Sequence, residues 1–269
     1  MNNITAISKN KSANATNLKI IACVLMVCDH IHQMWAHVGA PMWLTYIGRL
    51  VFPIFLFLMA DSFHYTRNRK KLLLRLLFAS VAMSVMNSVL WTLLPNENVA
   101  LINNAFSTFF LAALYMLFFE IIKDGTKKKS LKKIIGGVLL CFLPVLTAIP
   151  ILVISTSAAE SPPIWLLTIF SVIPNIIMVE GGFAAVILGV LFYIFRRRRW
   201  AQILALAAIS AMSFVSQGGF ASFQWMMVFA AIPMFLYNGE KGRGMKDFFY
   251  VFYPAHIYLL YIIAALTSK

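Results

Sequence analysis

A few ionisable side chains in this sequence stand where such groups are costly. Asp29 and His30 are consecutive inside the run KIIACVLMVCDHIHQMW, Arg49 interrupts WLTYIGRLVFPIFLF, and His256 lies in VFYPAHIYLLYII. Within a membrane span each would be unfavourable unless paired or hydrated, so each is a candidate for function. Imidazole titrates near neutrality, which suits proton transfer. An enzyme that moves an acyl group from a thioester to an amine or hydroxyl needs a base for the acceptor and a donor for the oxyanion. His30 as base, with Arg49 as its structural or electrostatic partner, would meet the first of these needs. Plainer readings stand beside this one. His37, Asp61 and Glu120 fall near span ends and can be solvated there. Glu180 is a boundary residue or a cap for a helix start. His32 and His256 can be buried neutral rings satisfied by backbone carbonyls.

Helix geometry restricts the pairings. Asp29 lies about 15 Å below the outer end of its span and Arg49 about 9 Å below the end of the next, at 1.5 Å per residue. Only a few residues separate these spans, so they should be antiparallel neighbours, and an Asp29–Arg49 ion pair would bury both charges. Consecutive residues point about 100° apart on a helix, so a side-by-side Asp29–His30 dyad is disfavoured. Asp29 with His32 or Gln33 is the better same-face pairing. Gly48 beside Arg49 permits close helix approach. Pro53 frees a carbonyl about one turn earlier. No G-x-S-x-G, H-E-x-x-H or P-loop is present, which argues against nucleophile-elbow hydrolases, zincins and P-loop ATPases. Cys23, Cys28 and Cys141 show no metal-binding spacing and read as small buried hydrophobes; no metal is expected.

The elements that must position these groups follow from composition. The 269 residues are 61% hydrophobic and only 12% charged, with 23 Lys and Arg against 9 Asp and Glu. That balance excludes an ordinary globular protein, a disordered chain and a disulfide-stapled module. A nucleic-acid partner is not expected, because almost no soluble face remains to carry the charge. The chain reads as an all-α, multi-pass bundle of about nine to ten spans. The apolar runs cover 18–39, 43–63, 72–94, 101–122, 132–154, 179–195, 200–217, 220–237 and 248–267. Residues 1–17 form a polar cytoplasmic tail, and 18–269 a single integral membrane domain. The segment 161–178 is read as re-entrant on the outer side, and as a tenth span otherwise. Basic clusters at the N-terminus, 67–75, 123–133, 196–199 and 241–246 alternate with loops lacking Lys and Arg. This alternation places the N-terminus in the cytoplasm.

At residues 28–90 the strings CDHIHQMW and YIGRLVFPIFLFLMADSFHYTRNRKKLLLRLLFASVAMSV resemble the TraX family, with echoes in NNAFSTFFLAALY and FFYVFYPAHIYLLYII. The resemblance implies a relative of membrane-embedded acyltransferases, in a family whose conjugative-plasmid member acetylates the N-terminal amine of pilin. It carries over to Asp29, His30, Gly48, Arg49, Phe52, Pro53, Thr66, Arg67, Lys70, Lys71, Arg75, Tyr253, Pro254 and His256. His32 departs from the family pattern, where glycine is typical. It adds a second imidazole beside His30 and leaves open which of the two is the base. The resemblance implies His30, Asp29, Arg49 and His256 as the catalytic set. It implies Arg67, Lys70, Lys71 and Arg75 as the site for the phosphates of acetyl-CoA, the acyl-donor substrate. The plain alternative for that basic loop is topology and contact with anionic lipid. The acceptor would be a peptide, a pilin-like protein or an envelope glycan, at the bacterial cytoplasmic membrane. A proton-coupled transporter or flippase using the same Asp, His and Arg groups is the other functional class, and a non-enzymatic assembly subunit a third.

Overall fold

The computed structural model describes residues 13–157, 166, 169 and 172–267. Half of 161–178 and most of the N-terminal tail therefore lie outside the described residues. Among the described residues the protein is helical, with a lone bridge between Ala13 and Tyr237 in place of any strand. The helices are α1 (Ala15–Trp35), α2 (Trp43–Gly48), α3 (Val51–Tyr65), α4 (Arg69–Leu93), α5 (Ala105–Lys127) and α6 (Leu131–Cys141). They continue as α7 (Leu143–Leu146), α8 (Ile149–Ser157), α9 (Gly182–Ile194), α10 (Arg199–Ser216), α11 (Ala231–Leu236) and α12 (Lys246–Thr267).

Among the described residues six helical segments are long and apolar enough to cross a membrane: Ala15–Val38, Trp43–Tyr65, Arg69–Leu93, Ala105–Lys127, Arg199–Ser216 and Asp247–Thr267. Three of the nine apolar runs do not make full-length helices. The run 132–154 breaks into α6, α7 and α8. Pro144 and Pro150 each fall at the second position of a new helix, where the missing N–H is tolerated. α9 starts late, because Gly181 and Gly182 take positive φ (74° and 62°). Its 13 residues span about 20 Å, short of the ~30 Å hydrocarbon core. The run 220–237 yields a 3-10 helix, Gln224–Ala230, followed by α11.

The chain forms two compact units. One comprises residues up to Asp61, Asn96–Ala100, and Ile194 onward; the other comprises Ser62–Pro95 and Leu101–Tyr193. In the first, α1 packs on α2 and on α12, and α10 packs on the 3-10 helix and α11. In the second, α5 lies between α4 and α6. The span containing Arg49 is itself interrupted. Turn residues Arg49 and Leu50 separate α2 from α3, four residues before Pro53. Proline has no N–H to return to the Arg49 carbonyl, so the helical ladder lapses there.

Candidate functional site

The middle of α1 presents two consecutive polar residues to two different neighbours. Asp29 faces α2. Its Oδ1 and Oδ2 lie 2.7 and 2.8 Å from Nη2 of Arg49, and its Oδ1 accepts a 2.7 Å bond from the Thr45 hydroxyl. The ion pair expected between adjacent antiparallel helices is thus formed. Gly48 makes it possible. A Cβ at this position would overlap the Asp29 side chain, so α1 and α2 could not approach as closely with any larger residue.

Arg49 is held through each of its three guanidinium nitrogens. Nη2 also donates to Thr45 Oγ1 at 3.1 Å and Nε to the Thr45 carbonyl at 3.3 Å, while Nη1 donates to Gln224 Oε1 at 3.2 Å. Thr45 precedes Arg49 by four residues, and that spacing brings the two onto one face.

His30, one residue on, faces α12. It is 4% exposed and His256 is 8% exposed. The rings meet edge to edge, 29° from coplanar with centroids 4.9 Å apart, and His30 Nδ1 lies 2.7 Å from His256 Nε2. His256 Nδ1 lies 2.7 Å from the Phe252 carbonyl, and the Phe252 ring stacks on the His256 ring. A carbonyl oxygen can only accept, so Nδ1 of His256 bears the proton and Nε2 of neutral His256 bears a lone pair. Nδ1 of His30 must then donate, and its lone pair falls on Nε2. His256 is satisfied by a backbone carbonyl, as the plain reading held, and it also orients a second imidazole.

The expected pairing of Asp29 with His32 does not form. α2 brings Thr45 and Arg49 onto the Asp29 carboxylate, while His32 sets Nε2 3.1 Å from Met42 Sδ in a more exposed position. Burial and an oriented ring therefore distinguish His30 from His32.

The basic loop belongs to the second unit, described by itself. Asn68 caps α4 by accepting from the Lys71 N–H at 2.9 Å. Thr66, Arg67, Asn68, Arg69 and Lys70 line an open concavity of about 560 Å³. Arg67, Lys70 and Lys71 are exposed. Arg69 instead covers the Phe63 ring at 4.9 Å. Arg75 lies a turn into α4, half-buried. Glu180 caps a helix start, but not its own: its Oε2 accepts the backbone N–H of Asn104, the N-cap of α5, at 2.9 Å.

Two residues of the first unit's centre went unread in the sequence. Thr45 had a signal in its four-residue spacing from Arg49. Gln224 had only its polarity within an apolar run, with nothing to indicate its partner.

Among the described residues, six span-length apolar helices, with a partly buried ion pair and a buried histidine pair meeting on α1, mark a multi-pass helical membrane protein. The family model described as TraX protein matches residues 14–264, and the chain belongs to that family. It is similar to the "Probable fimbrial assembly protein FimC, serogroup H1" of Dichelobacter nodosus, with 28% identity over 267 residues, covering 94% of this chain and 96% of that protein. No solved structure matches it.

Proposed function

We propose that this protein is an acyltransferase of the bacterial cytoplasmic membrane. It would move an acetyl group from acetyl-CoA to the terminal amine of a pilin-like protein. The observation that carries the reading is the hydrogen-bond order from the Phe252 carbonyl through His256 to His30. It puts the lone pair of a buried, oriented imidazole on Nε2 of His30, the arrangement a general base requires. The fimbrial-assembly name of the similar protein favours a pilin-like acceptor over an envelope glycan.

The thioester supplies an activated acyl carbon. His30 Nε2 takes a proton from the acceptor amine as its nitrogen attacks that carbon. The Arg49 guanidinium faces the negative charge that develops on the carbonyl oxygen. The C–N bond forms, the C–S bond breaks, and the proton on His30 passes to the departing thiolate. His256 holds the His30 ring in register and shares the charge of the transient imidazolium. Asp29 and Thr45 hold Arg49. Arg67 and Lys70 line the open concavity and Lys71 is exposed next to Lys70, so together with Arg75 they suit the donor's phosphates through charge-assisted bonds. The alternation of basic clusters supports a cytoplasmic N-terminus and, with it, a cytoplasmic side for this loop.

The test is transfer of labelled acetyl from acetyl-CoA to a pilin-like peptide with a free N-terminus, using protein purified in detergent. The wild type should label the peptide. His30→Ala should lower the rate about 10²- to 10⁴-fold. Lys70→Glu with Lys71→Glu should raise the donor KM. Absence of both transfer and coenzyme A binding at every concentration overturns the reading.

A further inference from the structure

Gln224 makes one contact whose chemistry is more specific than packing. Guanidinium has five N–H groups. On Arg49 the Nε–H goes to the Thr45 carbonyl, the two Nη2 N–H groups serve Asp29 and the Thr45 hydroxyl, and one Nη1 N–H goes to Gln224 Oε1. One N–H on Nη1 remains outside these bonds, and the Arg49 side chain is 29% exposed. The contact with Gln224 thus falls on the one guanidinium nitrogen that still has a donor to offer.

The chain builds this contact deliberately. It turns at Gly218 and Gly219 into a short 3-10 turn, Gly219–Ala221. Ser222 Oγ donates to Gln217 Oε1 at 2.7 Å and accepts from the Gln224 N–H at 3.3 Å. Phe223 packs against Tyr46 of α2, with centroids 4.8 Å apart. A guanidinium can only donate, so the amide oxygen of Gln224 must face Arg49. Its NH₂ then points to Met227 Sδ at 3.7 Å, a weak acceptor.

The residue type matters as much as the place. Asp29 already supplies one negative charge to Arg49. A glutamate at 224 would accept the same hydrogen bond but add a second carboxylate and quench the cation. A neutral amide holds the guanidinium and leaves its field intact.

We infer that Gln224 is a positioning residue for Arg49. It fixes the direction of the remaining Nη1 N–H and preserves the positive charge that a developing oxyanion would meet. This rests on the acyl-transfer reading for its consequence, but not for its geometry.

The test compares Gln224→Met and Gln224→Glu with the wild type in the full-length protein. Both should lower kcat about tenfold to a hundredfold, less than the ~10²- to 10³-fold typical of deleting an oxyanion donor, with the donor KM unchanged. A role in packing or hydrogen bonding alone would be rescued by the isosteric Gln224→Glu, so wild-type kcat in that variant overturns the inference. Where Gln224→Met does not fold, Gln224→Asn replaces it. A second readout needs no turnover: rotation about the Cζ–Nη1 bond of Arg49, by NMR of protein labelled with ¹⁵N-arginine. Rotation should be slow in the wild type and Gln224→Glu, and fast in Gln224→Met. Equal rates in the wild type and Gln224→Met overturn the positioning role. Slow wild-type rotation that Gln224→Met releases, in a protein with neither acetyl transfer nor coenzyme A binding, overturns the acyltransferase reading and leaves the positioning role standing.

Discussion

Each compact unit buries a polar cluster among apolar helices, and the two clusters differ in kind. In the second unit Asn104 donates to the Ser80 carbonyl at 3.0 Å and to Ser84 Oγ at 3.0 Å, and accepts from the Ser107 N–H at 3.3 Å. Thr108, fully buried, donates to the Glu180 carbonyl at 2.7 Å. These groups are largely amides, hydroxyls and backbone, matched donor to acceptor around the N-terminus of α5. In the first unit the groups are a carboxylate, a guanidinium and two imidazoles, contributed by α1, the turn that follows α2, and α12, with the Gln224 amide added from a 3-10 helix. The first kind of cluster ties helices together. The second keeps a lone pair on His30 and an N–H on Arg49 in defined directions. Buried polarity in an apolar bundle is therefore not itself a sign of function; titratable groups with a directed lone pair or donor are.

The sharpest way to break this distinction is Gly48→Ala. The added methyl must push α1 from α2 or displace Asp29. The expected cost is ~1–3 kcal/mol of stability from overpacking, together with a loss of activity of at least about tenfold in the folded fraction. Thermal unfolding in detergent and the labelled-acetyl assay measure the two separately. Wild-type behaviour on both would mean that the close approach at Asp29 is dispensable. The complementary change is Asn104→Ala. It leaves buried partners of the second cluster unsatisfied, at about 1–3 kcal/mol, yet kcat per folded molecule should equal that of the wild type. A kcat loss on the scale of His30→Ala would erase the difference between the clusters.

How far the sequence disclosed this arrangement depended on separation along the chain. Asp29 and Arg49 are 20 residues apart across a short turn, so helix rise and antiparallel packing were enough to pair them. Composition was enough for the helical class. His30 and His256 are 226 residues apart, and each appeared as a buried histidine with no means of telling that they meet. Gln224 was hidden for the same reason, 175 residues from Arg49. The Asp29–His32 expectation failed because same-face spacing within one helix lost to partners supplied by the next. Hydrophobic runs also overstated helix length. They register apolarity and not backbone continuity, so Pro144, Pro150 and the Gly181–Gly182 turn shortened elements that composition had extended.

The smallest effect is expected where charge is most abundant. Asp124, near the end of α5, is paired with Lys128 at 3.0 Å and with Lys133 at 2.6 Å. All three side chains are at least 40% exposed, and exposed pairs gain little because water and salt screen them. Lys133→Ala leaves Lys128 on the same carboxylate. It should change neither the unfolding temperature nor kcat, and the donor KM should stay at the wild-type value where Lys70→Glu with Lys71→Glu raises it. That contrast separates a basic cluster that only pairs and orients the chain from one that meets a phosphate-bearing donor. A rise in donor KM for Lys133→Ala comparable to that of the Lys70 and Lys71 variants would assign the donor's charge recognition to the basic loops at large, and the 67–75 segment would lose its special role.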